Sequence, residues 1–215
     1  MILTKEKAVS ILDSGHRQNP GLWKKHSLVA AKIASTIARQ IEGIDPEQVE
    51  IYAMLHDIGR KDSPRGLRHS IDGYLYLRDL GAAECARYCI THSFPGKKFI
   101  EHYDFMIAQD DKNFFLKYLE DCDFTLTDKI IQISDLMATP YGPTIMEVRF
   151  LEACMRNGTN ILAFEYWKEC QKVKNEIDSV LKYSVYQLFD DLLVEWPSAE
   201  IQDSFGLNRT IMATL

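Results

Sequence analysis

The sequence predicts an all-α protein, and three observations carry that prediction. Apolar residues recur at helical spacing along almost the whole chain, Gly, Pro and N-capping residues punctuate the stretches, and no Val/Ile/Thr-rich run alternates between turns as a half-buried strand would. In 22–41, Leu22, Leu28, Val29, Ile33, Ile37 and Ile41 fall roughly on one face with Pro20 just ahead, which predicts a long helix. A second is predicted from Pro46, N-capped by Asp45, through Val49, Tyr52, Ala53, Leu55 and His56 until Gly59 stops it. A third covers about 69–80 and ends at Gly81; a fourth covers about 82–92 and is broken by Pro95-Gly96. Further helices are expected at about 114–122 and 128–139, the latter closed by the turn signal Thr139-Pro140-Tyr141-Gly142-Pro143, then at about 144–157, 160–182 and 184–194. No internal repeat or low-complexity linker interrupts them.

The 215 residues, 46% hydrophobic and 26% charged, favour one globular domain over 1–215 and exclude a disordered, collagenous or disulfide-stapled chain. A net charge of -6 argues against a generic grip on nucleic acid, so no nucleic-acid polymer is expected as a partner. No run of about 18 uncharged apolar residues occurs, and the opening MILTKEK lacks the features of a signal peptide, so the expectation is a cytoplasmic protein without a membrane partner. Five cysteines, an odd count without a C-x-x-C pair, read as reduced thiols, with Cys85 and Cys89 one helical turn apart in the core. Against this acidic background the segment 60–68, RKDSPRGLR, holds four basic residues and one acidic. A basic loop on an acidic protein needs a local reason.

Six histidines stand at 16, 26, 56, 69, 92 and 102. His56 is followed directly by Asp57. Consecutive helical residues point about 100° apart, so the two can serve one ion where a helix stops; taken singly, such a pair also ends helices for capping reasons. The set is harder to dismiss. His26 lies within WKKHSLVAAKIA, His69 opens a predicted helix, His92 closes one, and Asp135 interrupts the apolar face of DKIIQISDLMA. A buried carboxylate is costly unless a positive charge meets it. Imidazole with carboxylate suits iron, manganese, zinc, cobalt or nickel, and no cysteine is placed to add a thiolate. Met54, Leu55 and Ile58 around the doublet read as core.

At these residues the chain resembles the HD-domain superfamily of metal-dependent phosphohydrolases. The words that carry the resemblance are LWKKHSLVAAKIA, YAMLHDIGR and KIIQISDLM, spanning about residues 20–150, while HSIDGYLYLRDLG and ARYCITHSFPGK are similar to the extra histidine segments of two-metal branches. The resemblance implies a helical bundle with a dinuclear site and additional C-terminal helices over about 151–215. By it, His26, His56, Asp57 and Asp135 would hold one ion, and Asp57 would bridge to a second held by His69 and His92. Two divalent or transition ions are implied, iron or manganese ahead of zinc, cobalt, nickel or magnesium.

Two such ions about 3.5–4 Å apart can hold a hydroxide and clamp a phosphoryl group, and cations then balance the charge-rich transition state. The basic loop answers that need. Asp57, Arg60 and Lys61 are the catalytic candidates; Arg60, Lys61, Arg68 and His102 are the candidates for substrate contact. Arg60 stands where the family often has Lys, a fork in place of a point charge. Arg65, Lys97 and Lys98 read as solvated surface charge, His16 as a surface or supporting residue, and Tyr141 and Arg149 as candidate pocket lining.

The chain looks most like symmetrical dinucleoside-tetraphosphate hydrolases and small HD phosphohydrolases. It has Gly73-Tyr74-Leu75 rather than the Gly-Tyr-Pro of cyclic-dinucleotide phosphodiesterases, and no acidic doublet of the guanosine-tetraphosphate hydrolases is placed here. The expected reaction is hydrolysis of a small nucleotide or other phosphate ester, with a small anionic phosphate as the partner. Two alternatives stand beside it, a di-iron HD-fold oxygenase and a non-catalytic HD-type sensing domain. For the aromatic C-terminal helices, with Phe164, Tyr166, Trp167, Tyr183, Tyr186, Phe189 and Trp196, spacing favours core packing over a pocket cover or a homodimer face.

Overall fold

The computed structural model describes residues 2–63, 66–97, 107–159 and 161–193, and its helices bear out the all-α prediction. Helix α1 (Lys5–Gln18) adds to the predicted set. Thr4 caps it by accepting from Lys7 N at 3.3 Å, and Ala8, Ile11, Leu12 and Gly15 form its buried stripe, too sparse to stand out as a periodic run. Helix α2 (Trp23–Ala38) stops short of 41 because the bonds tighten there to Gln40 N→Ile37 O and Ile41 N→Ala38 O. Its small buried residues Ala30, Ala31, Ala34 and Ala38 let it lie closely along α3 (Pro46–Leu55), which Asp45 caps through Glu47 N and Gln48 N.

Helix α3 ends at Leu55, not at Gly59. His56 is its C-cap, Asp57 follows, and a 3-10 turn occupies Ile58–Lys61. Gly59 is needed for close approach: a Cβ there would stand 1.9 Å from His69 O and 2.4 Å from Gly73 N. Helix α4 (Arg68–Asp79) therefore presses its backbone against the turn that carries the His-Asp doublet. On its other side α4 lies against α5 (Ala83–Thr91), so the third and fourth predicted helices are both present.

Helix α6 (Gln109–Asp121) begins ahead of the predicted 114, with Asp110 and Asp111 in a first turn where negative charge is favoured. Its Phe115 and Leu119 join Leu67, Ile71, Ile90 and Phe94 in a small second core. Helix α7 (Leu126–Met137) opens on a reciprocal capping box of Thr125 and Asp128. The helix expected to 139 ends at Met137, and across the predicted turn β1 (Ala138–Thr139) and β2 (Gly142–Pro143) pair antiparallel in the register Ala138↔Pro143 and Thr139↔Gly142. The Thr139 hydroxyl makes the hairpin by accepting from Tyr141 N and Gly142 N, each at 3.1 Å, and donating to Gly142 O.

Helix α8 (Met146–Asn157) and α9 (Ile161–Leu181) follow. Cys170, Val173 and Ile177 of α9 complete the main core, and Tyr166, Trp167, Tyr183, Tyr186 and Phe189 pack against it, whereas Phe164 stays half exposed. The helix expected at 184–194 is one 3-10 turn, Val185–Leu188. Lys182 turns left-handed at φ 71, Val185 N donates to Asp178 Oδ1, and the chain then runs on to a bridge between Thr144 and Leu193. Trp196 lies outside the described residues. The cysteines are free thiols, with Cys85, Cys89 and Cys170 buried. Among the described residues no helix is long and apolar enough to cross a membrane.

Candidate metal centre

Five segments bring six donor side chains to one place. His26 comes from the first turn of α2, His56 and Asp57 from the end of α3, His69 from the start of α4, His92 from the C-cap of α5 and Asp135 from the last turn of α7. All but Asp135 are buried.

Each imidazole is aimed by a bond from its outer nitrogen. Nδ1 lies 2.6 Å from Ala53 O in His56, 2.6 Å from Gly66 O in His69, 2.9 Å from Tyr88 O in His92 and 3.2 Å from Ala138 O in His26. A carbonyl can only accept, so every Nδ1 carries the proton and donates, and every Nε2 turns inward. Such an outward bond to a carbonyl is the usual way a metal-ligating histidine has its tautomer and ring orientation fixed.

The two carboxylates sit among the inward nitrogens. Asp135 Oδ1 is 2.8 Å from His26 Nε2 and 3.5 Å from His56 Nε2. Asp57 Oδ2 faces His56 Nε2 at 3.7 Å and His26 Nε2 at 4.0 Å, while its Oδ1 faces His69 Nε2 at 3.0 Å and His92 Nε2 at 3.8 Å. In three overlapping trios, His26–His56–Asp57, His56–His92–Asp135 and Asp57–His69–His92, one donor atom per residue lies within 4.8 Å of the others.

Burial opposes ionisation of Asp57, yet Arg60, His56 and His69 hold its carboxyl well below the usual range; His26 and His56 do the same for Asp135. Burial likewise favours a neutral His56, but Asp57 and Asp135 overcome it and raise the ring to about 9. Burial and the neighbouring His56 cation push His92 down to about 3, leaving its ring neutral. The cluster thus gathers negative charge that draws a positive one.

The residues fit a divalent ion on a further observation. His56 Nε2 and Asp57 Oδ1 are buried without a hydrogen bond of good geometry, their neighbours being Asp135 Oδ1 at 3.5 Å and His69 Nε2 at 3.0 Å. Orphaned buried polar atoms are costly, and two of them facing histidine and carboxylate donors are accounted for by a cation among them. Imidazole and carboxylate without thiolate is a donor set for divalent ions of this kind.

The structure places the other sequence candidates as follows. Arg60 reaches inward, its Nε donating to Asp57 Oδ2 at 2.5 Å. Lys61 bonds Asp62 at 2.5 Å and lies over the Tyr76 ring, and Arg68 ties Asp72 to Asp111. Lys97 reaches Glu120 O and Asp123, Arg149 pairs with Glu152, Tyr141 is exposed on the hairpin, and His16 lies edge-on to Trp23. His102, Arg65 and Lys98 lie outside the described residues.

Four residues beside the cluster are absent from the sequence candidates. Asp128, fully buried, takes a bidentate bond from Arg87 and one from Thr91; Gln132 donates to Thr91 O and Phe94 O. With Asp135 they form an i, i+4, i+7 polar stripe on α7, visible in the sequence, that binds this helix to the end of α5 where His92 stands. Ser70 and Ser93 directly follow His69 and His92, a repeated His-Ser word.

A search of curated proteins and one of solved structures each give no significant match. The model of the HD domain family matches residues 24–139, more than half of the chain and the segment that supplies all six donors. The chain belongs to the HD-domain family, whose members are largely metal-dependent phosphohydrolases, and its histidine and aspartate clusters fit the divalent metal site of that family.

Proposed function

We propose that this protein is a metal-dependent phosphohydrolase acting on a small nucleotide or other phosphate ester, with a centre for two ions. One observation carries the reading: the two oxygens of Asp57 face different histidine pairs, Oδ2 towards His26 and His56, Oδ1 towards His69 and His92. In this assignment His26, His56, Asp57 and Asp135 hold one ion and Asp57, His69 and His92 the other. Divalent or transition ions, iron or manganese first, would there lower the pKa of a water and polarise a phosphoryl group for in-line displacement.

The chain's own part is to bind and orient. The four Nδ1 bonds keep the Nε2 lone pairs turned inward, so no ring reorganises when a ligand arrives. Arg60 holds the Asp57 carboxylate and is itself about a quarter exposed, 28%, so its fork stands between Asp57 and solvent, where an anionic ester would enter. Lys61 and Arg68 are assigned to the rim of the same anion site, exchanging their carboxylate partners for phosphate oxygens; His102 is assigned there from the sequence alone. The substrate is a small phosphate-bearing anion rather than a nucleic-acid polymer.

The test is elemental mass spectrometry of protein purified without chelator or nickel resin, followed by a phosphate-ester screen on the same sample. About two transition ions per chain, falling in His69→Ala or His92→Ala, together with phosphate release abolished by Asp57→Ala, is the expected result. One ion insensitive to those substitutions overturns the two-ion reading. Iron with oxygen consumption and no phosphate release replaces hydrolase by oxygenase.

A further inference from the structure

Two hydroxyls link the histidines assigned to the second ion. Ser93 Oγ is 3.0 Å from His92 Nε2, Ser70 Oγ is 3.3 Å from Ser93 Oγ, and Ser70 Oγ is 3.5 Å from His69 Nε2. Ser70 is fully buried, and Ser93 is 9% exposed, so the pair lies inside the protein with Ser93 at the edge.

The proton order follows from the histidine. His92 gives its Nδ1 proton to the Tyr88 carbonyl, which fixes the tautomer whose Nε2 is the lone-pair nitrogen, so Ser93 is the donor across the 3.0 Å contact. Having spent its one proton, Ser93 Oγ accepts from Ser70. The result is a directed chain, Ser70 to Ser93 to His92, ending on the lone pair that the metal assignment requires.

Resting on the two-ion reading above, we propose that Ser93, oriented by Ser70, is an anion-binding hydroxyl: it covers the His92 lone pair in the ion-free protein and donates to a phosphate oxygen when that lone pair is coordinated. Two consequences of opposite sign follow. The Ser93–His92 bond must break before His92 can ligate, so the hydroxyl weakens uptake of the second ion. Once released, Ser93 has a proton to donate and Ser70 still behind it, beside the nitrogens of His69 and His92, where a phosphate oxygen would be held. A serine that merely filled space would not move the two affinities in opposite directions.

The experiment is calorimetric titration of chelator-stripped full-length protein with Mn2+, then of the Mn2+-loaded protein with inorganic phosphate, for the unaltered chain, Ser93→Ala, Ser93→Thr and Ser70→Ala. Ser93→Ala should bind the second Mn2+ about three- to tenfold more tightly and phosphate about three- to tenfold more weakly, the range set by one hydrogen bond. Ser93→Thr keeps the hydroxyl and should return both to within about twofold. Ser70→Ala should shift both in the directions of Ser93→Ala by less, and decides the matter if Ser93→Ala does not fold. Parallel losses in both affinities, or no change in either, overturn the proposal. An unaltered chain that takes up one Mn2+ or none overturns instead the two-ion reading, whatever the serine variants do.

Discussion

Arg60 places its Nε 2.5 Å from Asp57 Oδ2, the oxygen that faces His26 and His56, and leaves Oδ1 to His69 and His92. The guanidinium is thus a built-in counter-charge on the carboxylate common to both histidine pairs. It stabilises the protein before any ion arrives and competes with an ion for the same oxygen afterwards.

Arg60→Gln should therefore act in two directions. Loss of a charged hydrogen bond to a buried carboxylate costs about 2 kcal/mol, which lowers the melting temperature of chelator-treated protein by about 4–8 °C. The rise in melting temperature on adding Mn2+ should be larger than in the unaltered chain. Thermal unfolding with chelator and with Mn2+ checks both, and a smaller Mn2+ shift refutes the competition.

Ion binding should strengthen with pH. The His56 ring, raised from 6.5 to about 9, is protonated in the ion-free protein, and an entering ion must expel that proton. The raised value means that this proton's contribution to ion-free stability is complete below about pH 6.5 and is lost as pH rises through about 9. Mn2+ affinity should accordingly gain about tenfold per pH unit up to about pH 9, with about one proton released from His56 at pH 7. Calorimetry in two buffers of different ionisation enthalpy counts the proton; affinity that stays flat from pH 7 to 9 contradicts it.

Gly59→Ala should displace His69, the donor that α4 supplies. The added Cβ meets His69 O and Gly73 N, both backbone, so the helix itself must move. Overpacking of this kind costs about 1–3 kcal/mol or more. Urea unfolding should show that loss, and Mn2+ stoichiometry should fall by about one because His69 travels with α4.

Asp128→Ala should be among the most destabilising single changes outside the cluster. It leaves the Arg87 guanidinium without its carboxylate, holding only Asp123 O, removes the α7 capping partner and strips Thr91 of its acceptor. Breaking a buried ion pair from one side costs about 3–5 kcal/mol. Equilibrium unfolding in urea measures it, and a cost below about 1 kcal/mol would show that the α5–α7 junction is held by packing alone.

Much of the centre was legible because its chemistry runs against its surroundings. Asp135 breaks an apolar face, His26 sits in an alanine-rich helix, and His56-Asp57 ends a buried run; each conflict marks a residue of the histidine–aspartate cluster, and their surrounding words carry the family resemblance. What aims them was not legible. The carbonyls of Ala53, Gly66, Tyr88 and Ala138 belong to no motif, since any residue has a carbonyl and only backbone geometry decides which one meets an imidazole. In the sequence Gly59 reads as a helix stop, whereas its reason lies across the fold in the backbone of His69 and Gly73. Helix α1 escaped because a stripe of four small or aliphatic residues barely rises above its polar neighbours. The 184–194 segment misled for the opposite reason: its apolar residues pack against the core in an irregular path, which hydrophobic spacing alone does not separate from a helix.

Three of the four imidazoles take their orienting carbonyl from three or four residues back in their own chain, and His26 alone borrows one from a distant segment, Ala138. The bearings of His56, His69 and His92 are thus set locally, as soon as each turn forms. His26 is aligned only when the strand after α7 is seated. Three imidazoles of the cluster owe their bearing to their own turns, and the fourth owes it to the tertiary contact between α2 and β1.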